Sequence, residues 1–282
     1  TLNEVYAQIQ SDLTIAINGL PASYATNADT RSRATSGAAM ALMARLDLYR
    51  ENYASAAQLA TDVLNSDLYE LAGDYSFYNG LTSEDVFTII NTPQDSQNSN
   101  EGYGGLTNPQ PEGRGDAPFS QNLIDAYNEE PDDLRFSSLT QMGQDAAQVN
   151  SVFSTKFDDG VNNADNAPII RVTEMYLIRA EANFKNGTSI GATPLNDINI
   201  LRDRAGLSPV AVVDIDRILI ERRKELAFEG GHRRIDLLRN ERGLRVGLGN
   251  ESAGAFGADR TIFPIPQNSI DLVPALEQNP GY

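Results

Sequence analysis

Between residues 2 and 20 the apolar positions Leu2, Val5, Tyr6, Ile9, Leu13, Ala16, Ile17 and Leu20 recur at spacings of three and four. That is the period of one helix face, and Pro21 supplies a stop. The same period predicts a helix over 35–50, with Ala38, Ala41, Leu42, Arg45, Leu46 and Tyr49 on one side, and another over 53–64. Only Glu51 and Asn52 join these two, so they are expected to pack antiparallel. Small residues at Ala44 and Ala56 sit on either side of that turn. They let two helices approach closely, which is the tetratricopeptide pattern. A looser echo runs through "EMYLIRAEANFKNG" (174–187), with Ala180 and Gly187. Further helices are predicted over 195–205 and 214–229.

The middle of the chain has a different texture. "EDVFTIIN" (84–91) is short and rich in β-formers, so it reads as a strand. Residues 92–118 are dominated by Asn, Gln, Gly and Pro and support neither a long helix nor a long strand. A loop of that length inside a domain is usually functional or disordered. "NLIDAYNEE" (122–130) returns to helix, and "SVFSTKFDD" (151–159) reads as a strand. The proline-rich tail, "TIFPIPQNSIDLVPALEQNPGY", is too apolar for a solvated tail and is expected to lie extended. The fold class is therefore mainly α: tetratricopeptide-like antiparallel helix pairs with an irregular loop-rich subdomain. One domain is expected over 1–282. Its helical frame spans 1–72 and 169–242, a loop-rich ligand-facing region spans 73–168, and an extended segment spans 243–282.

Composition narrows the chemistry. With 22 Lys+Arg against 39 Asp+Glu the net charge is −17, which repels nucleic-acid phosphates and anionic lipid headgroups. There is no cysteine and one histidine, which excludes thiolate chemistry and two-histidine zinc motifs. No apolar run approaches the ~20 residues of a membrane span.

Against that acidity stands "ERRKELAFEGGHRRIDLLRN" (221–240), with Arg222, Arg223, Lys224, Arg233, Arg234 and Arg239 in one run. On a helix from Asp214, the residues Ile215, Leu219, Arg222, Leu226, Glu229 and Arg233 share one stripe. Charges in line with leucines point to an internal ion network, because buried charges are tolerated when paired. Arg222 with Glu225, and Glu229 with Arg233 or Arg234, are the expected pairs. Lys224 is expected to be exposed, Gly230 and Gly231 to stop the helix, and His232 to be a hydrogen-bonded structural residue.

The paired acids Glu129–Glu130, Asp132–Asp133 and Asp158–Asp159 read as solvated loops, since sequence neighbours do not span a glycosidase cleft. "DDGVNNADN" (158–166) is rich in oxygen ligands. Calcium at Asp158, Asp159, Asn163 and Asp165 is one reading and a polar turn the other; the spacing does not match an EF-hand. "GLGNES" (247–252) lacks the strand-to-helix context of a phosphate loop. No cofactor is expected. The long loop carries Tyr103, Asn108, Arg114 and Asp116, with Tyr75 and Tyr78 upstream. Aromatic faces beside planar hydrogen-bonders suit a sugar. The glycines around Tyr103 would let a ligand approach its ring.

"LIERRKELAFEGGHRRIDLLRN" (219–240), "IIRVTEMYLIRAEANFKNG" (169–187), "LNDINILRDRAGL" (195–207) and "FPIPQNSIDLVPALEQNPGY" (263–282) resemble the SusD/RagB-like nutrient-binding outer-membrane lipoproteins. "RATSGAAMALMARLDLYRENYASAAQLATDVLNS" (33–66) is similar to a tetratricopeptide unit of that family. The resemblance implies helix pairs supporting a loop-rich binding face. It also implies capture of an oligosaccharide, or in some members a peptide, at the outward surface of the outer membrane. The captured ligand would pass to a partner TonB-dependent transporter barrel, without catalysis. It further implies that this chain is a C-terminal portion, whose signal, lipidated cysteine and first helices lie elsewhere. The lipid anchor would be its contact with the membrane. With no tryptophan, stacking falls to tyrosines. The competing expectations are a tetratricopeptide scaffold that binds a peptide or protein in its helical groove, and a glycoside hydrolase.

Overall fold

The computed structural model describes residues 1–94, 102–244 and 251–282. Residues 95–101 of the long loop, and 247–250 of "GLGNES", lie outside the described residues. In chain order the helices are α1 (Leu2–Gly19), α2 (Asn27–Ser32), α3 (Ser36–Tyr49) and α4 (Tyr53–Leu64). After the strand β1 (Asp85–Ile89) come the short helices α5 (Tyr103–Thr107), α6 (Gln121–Asn128) and α7 (Leu134–Ser138). Strands β2 (Thr140–Gln144), β3 (Asn150–Ser154) and β4 (Ala167–Arg171) follow. Then come α8 (Val172–Asn186), α9 (Pro194–Arg204), α10 (Ile215–Glu225), α11 (His232–Arg239) and α12 (Gln267–Leu272). The chain divides into two compact units, Thr1–Gly230 and Gly231–Tyr282.

The α3–α4 pair is built as its pattern demands. Ala41, Ala44, Ala56, Ala57 and Ala60 have no exposed surface, so the two backbones approach to alanine distance. Glu51 makes the tight turn with a left-handed backbone, φ 62°. Thr35 caps α3 by accepting a bond from the Ala38 amide. Helix α8 then packs Met175, Ile178 and Ala182 into this alanine cluster. Its other side sets Leu177 and Ala180 against Ile198 and Leu201 of α9 and Ile218 of α10. Being covered on both sides, α8 is buried from Val172 to Asn183 except at Tyr176. It ends at Gly187, whose positive φ of 66° lets the chain turn. These are the tetratricopeptide-like antiparallel helix pairs that the periodicity predicts.

Two differences from the pattern stand out among the helices. On α1 the Leu13 side of the predicted face packs with Ala39, Met43 and Leu46, while Leu2 and Val5 remain exposed. And α10 stops at Glu225, short of the two glycines, with Phe228 taking up a left-handed φ of 66°.

Both sheets are two-stranded and antiparallel. β1 pairs with β4, bringing Asp85 opposite Arg171 and Phe87 opposite Ile170. β2 and β3 form a hairpin in which Thr140 faces Ser154 and Gln144 faces Asn150. Short strands of mixed polarity such as β2 leave little periodic signal. In the second unit the tail is less extended than its prolines imply: it forms α12 and short 3₁₀ turns around residues 251–254 and 259–261. Within that unit Arg234 lies over the Phe263 ring, 4.5 Å from its centre. Among the described residues no helix is long and apolar enough to cross a membrane.

Candidate functional site

The site rests on a buried ion network. Glu225, at the last turn of α10, binds Arg204 of α9 at 2.6 Å and lies 3.6 Å from Arg171 and 3.7 Å from Arg135. Glu229 is held by Lys156 at 2.6 Å and by Arg171 at 2.7 Å. Glu84, just before β1, binds Arg171 at 2.8 Å and Arg204 at 3.2 Å. Burial alone would push the Glu229 carboxyl up. The Arg171 and Lys156 charges overcome that and hold it below the usual carboxylate range.

Thus the internal network expected around Glu225 and Glu229 exists, but its partners differ from those expected. Arg222 is fully buried and sits 3.9 Å from Glu181 of α8. Arg233, half-buried on α11, lies in the second unit. The cations around the two glutamates come from α7, β4, α9 and the strand end at Lys156. For Glu229 the local pairing fails because α10 ends at Glu225 and residues 226–229 do not continue the helix face. Arg222 and Glu225 share α10 but reach different neighbours, Glu181 and Arg204.

Lys224 is also buried, not exposed, with Nζ 3.0 Å from Glu130 and 3.2 Å from Asp133. Asp133 in turn binds Arg135 at 2.7 Å. Of the acid pairs read as solvated loops, Asp133 is therefore buried and Glu130 half-buried in ion pairs. Bonds from Arg202 and Lys224 outweigh burial at Glu130 and hold its carboxyl at about 2.

Tyr75 and Tyr78 belong to this network rather than to an open stacking surface. Both rings are buried. The Tyr75 hydroxyl donates to Glu225 at 3.3 Å and the Tyr78 hydroxyl to Glu229 at 2.8 Å. Arg204 lies over the Tyr75 ring, and both Lys156 and Arg171 lie over Tyr78. A ring whose hydroxyl and faces serve the interior is not available to stack on a sugar.

Lys156 links the network to the surface. Its ammonium donates to the Glu225 and Ala227 carbonyls and to Glu229. The next residue, Phe157, is 1 % exposed. On Phe157 lies Tyr103, ring centres 4.5 Å apart and planes within 23°. Tyr103 itself is 40 % exposed. The result is an outward aromatic plate backed by a buried ring that a lysine anchors to the frame.

The remaining predicted residues divide. Arg114 and Asp116 are exposed and paired with each other at 2.6 Å. Asn108 is buried, and its amide is consumed by the chain. Nδ2 donates to the Gly104 and Phe157 carbonyls, and Oδ1 accepts from Gln141. It ties α5 to the Phe157 carbonyl and to Gln141. The glycines serve the chain as well. A Cβ on Gly104 would meet the Asp159 carbonyl oxygen at 2.3 Å, and one on Gly113 the Asn108 carbonyl oxygen at 2.4 Å. They let α5 and the following turn close onto residues 157–160. At Gly104 and Gly113 the glycines are therefore required by close packing of the chain on itself.

The oxygen-rich run at 158–166 is a polar turn. Asp159 accepts from the Asn162 and Ala164 amides, Asp165 from the Asp159 amide, and Asn163 from the Gly105 amide. Among the described residues no group of three or more His, Asp or Glu side chains is placed to hold a metal ion.

Comparison with known proteins places this arrangement. The model of the SusD family matches residues 148–282. No curated protein matches the sequence. A SusD superfamily protein from Bacteroides thetaiotaomicron is 28 % identical with a TM-score of 0.81, the match covering 98 % of this chain and 66 % of that one. For a SusD superfamily protein from Bacteroides vulgatus the figures are 26 %, 0.80, 99 % and 65 %. For a laminarin-binding SusD-like protein they are 25 %, 0.76, 99 % and 69 %. The chain thus spans about two thirds of the length of these solved relatives. The family's pattern over residues 148–282, and the fold shared over the length of the chain, make this chain similar to the SusD family proteins.

Proposed function

We propose that this protein captures a glycan at the cell surface and does not cleave it. The observation that carries the reading is the Tyr103–Phe157 plate: one exposed ring face held flat by a buried one, beside the exposed Arg114–Asp116 pair. A flat ring suits the C–H face of a sugar, and the polar pair suits its hydroxyls. The relative whose name records laminarin binding supports a glycan over a peptide. Delivery to a TonB-dependent transporter barrel at the outer membrane completes the proposal. Glu130 and Asp133 are committed to arginines and a lysine, which argues against their acting as a hydrolytic pair.

The test is an array of neutral and acidic oligosaccharides and peptides, followed by mass spectrometry of the best ligand after prolonged incubation. Binding that weakens several-fold in Tyr103→Ala, with the ligand recovered intact, is the expected result. Peptide binding unaffected by Tyr103→Ala, or accumulating cleavage products, defeats the proposal. Co-purification with a transporter barrel from outer membranes tests the delivery step.

A further inference from the structure

A cavity of about 380 Å³ lies between the turn at 74–78 and the base of the β2–β3 hairpin. Tyr75 and Tyr78 contribute to its floor. Asp74, Ser138, Thr155 and Asp158 contribute to its walls. Asp158 directly follows Phe157, the ring on which Tyr103 lies, so one chain segment serves both cavity and plate.

The chemistry of the lining is one-sided. It contains hydroxyls and two carboxylates but no lysine or arginine. Arg204, over the Tyr75 ring, and Lys156, over the Tyr78 ring, are committed to Glu225 and Glu229. Arg114, whose backbone amide bonds the Gly105 carbonyl of α5, is neutralised by Asp116. Asp74 gives one oxygen, Oδ1, to the Ser76 amide and hydroxyl, which holds its carboxyl below the usual range and keeps it charged. No hydrogen bond takes its other oxygen, and the Asp158 side chain is exposed.

We infer that this cavity is a subsite for one residue of a neutral glycan lying on Tyr103, with the Asp74 and Asp158 carboxylates accepting hydrogen bonds from its ring hydroxyls. The inference rests on the proposed function and adds the substrate class. Hydroxyl-to-carboxylate bonds are short and strong. A uronate or sulfate would be set against two uncompensated negative charges, in a molecule of net charge −17. The cavity is at the small end of ligand sites, which run from about 300 to 1,000 Å³. It suits a single ring of the chain and not an extended run of it. The floor tyrosines cannot rotate away, because their hydroxyls are tied to Glu225 and Glu229. The subsite is therefore preformed.

The experiment is isothermal titration calorimetry with laminarihexaose, maltohexaose, xylohexaose and mannohexaose, alongside an oligogalacturonate and a chitosan hexamer. The proteins are the unmodified chain, Tyr103→Ala, Asp74→Asn and Asp158→Asn, with melting temperatures as a fold control. Expected is a neutral hexamer as the tightest ligand. Each aspartate variant should lose about tenfold in affinity for it, the scale of one charged hydrogen bond, with melting temperature kept. Loss of affinity in Tyr103→Ala with both aspartate variants unchanged removes the subsite and leaves the glycan-binding function standing. Tightest binding of the oligogalacturonate, or of the amine-bearing chitosan hexamer, overturns the neutral class. Absence of heat with every member of the panel overturns both readings.

Discussion

Arg171–Glu229 and Arg114–Asp116 are the same chemistry at nearly the same distance, 2.7 and 2.6 Å. The first pair is 2 % and 4 % exposed; the second is 42 % and 36 % exposed. In the frame, each charge has lost its water and depends on its neighbours. On the binding face, either charge can turn to solvent or to a ligand at little cost. Distance therefore says almost nothing about what a pair contributes here, and desolvation says most of it. The comparison also separates roles. The buried network ties β4, α9 and α10 together beneath the plate, while the exposed pair is free to exchange partners.

The largest effect should come from breaking the network. Glu229→Ala leaves Arg171 and Lys156 without their shared carboxylate and should cost about 3–5 kcal/mol in urea unfolding. A loss below about 1 kcal/mol would mean water or another acid replaces it, and the contrast with the surface pair would collapse. Next in size is Lys224→Ala. Its ammonium lies between Glu130 and Asp133, and Asp133 retains Arg135. A loss of about 1–3 kcal/mol is expected, and no change would return Lys224 to the surface.

A pH effect sharpens the same point at the edge of the network. Burial pushes the Asp85 carboxyl up to about 6, against a bond from the Thr82 amide and the charge of Arg171. A raised carboxyl favours the folded state while protonated, so the contribution fades as pH climbs from about 4 through 6. Asp85→Asn should therefore gain stability relative to the unmodified chain over that rise. A melting-temperature difference flat from pH 4 to 7 would show that Asp85 is not desolvated.

Smaller effects belong to the binding face. Tyr103→Ala should cost about 0.5–1.5 kcal/mol of stability, the value of one ring stack on Phe157, while weakening glycan binding several-fold. Arg114→Ala should stay within about 1 kcal/mol. If its melting temperature falls as far as that of Glu229→Ala, the distinction between frame and face is wrong.

Periodicity along the chain was enough to place α1, α3, α4, α8 and α9 and the turn at Glu51, because each carries an apolar face or an alanine seam that has no other stable use. It also showed that the charges near Glu225 and Glu229 are internal, since they share a line with leucines. The tertiary structure alone decided their partners. Arg135, Lys156, Arg171 and Arg204 lie between 21 and 90 residues away in sequence from Glu225 or Glu229, and Glu84 lies 87 and 120 residues from the two arginines it shares with them; no local spacing encodes such a meeting. The structure alone also turned Tyr75, Tyr78 and Asn108 inward while leaving Tyr103 on the surface. All four are amphipathic side chains in polar sequence, equally able to face water or a buried hydrogen-bond partner. Which they face depends on whether a carboxylate, a carbonyl or another ring is waiting there, and those groups arrive only when distant strands and helices close around them.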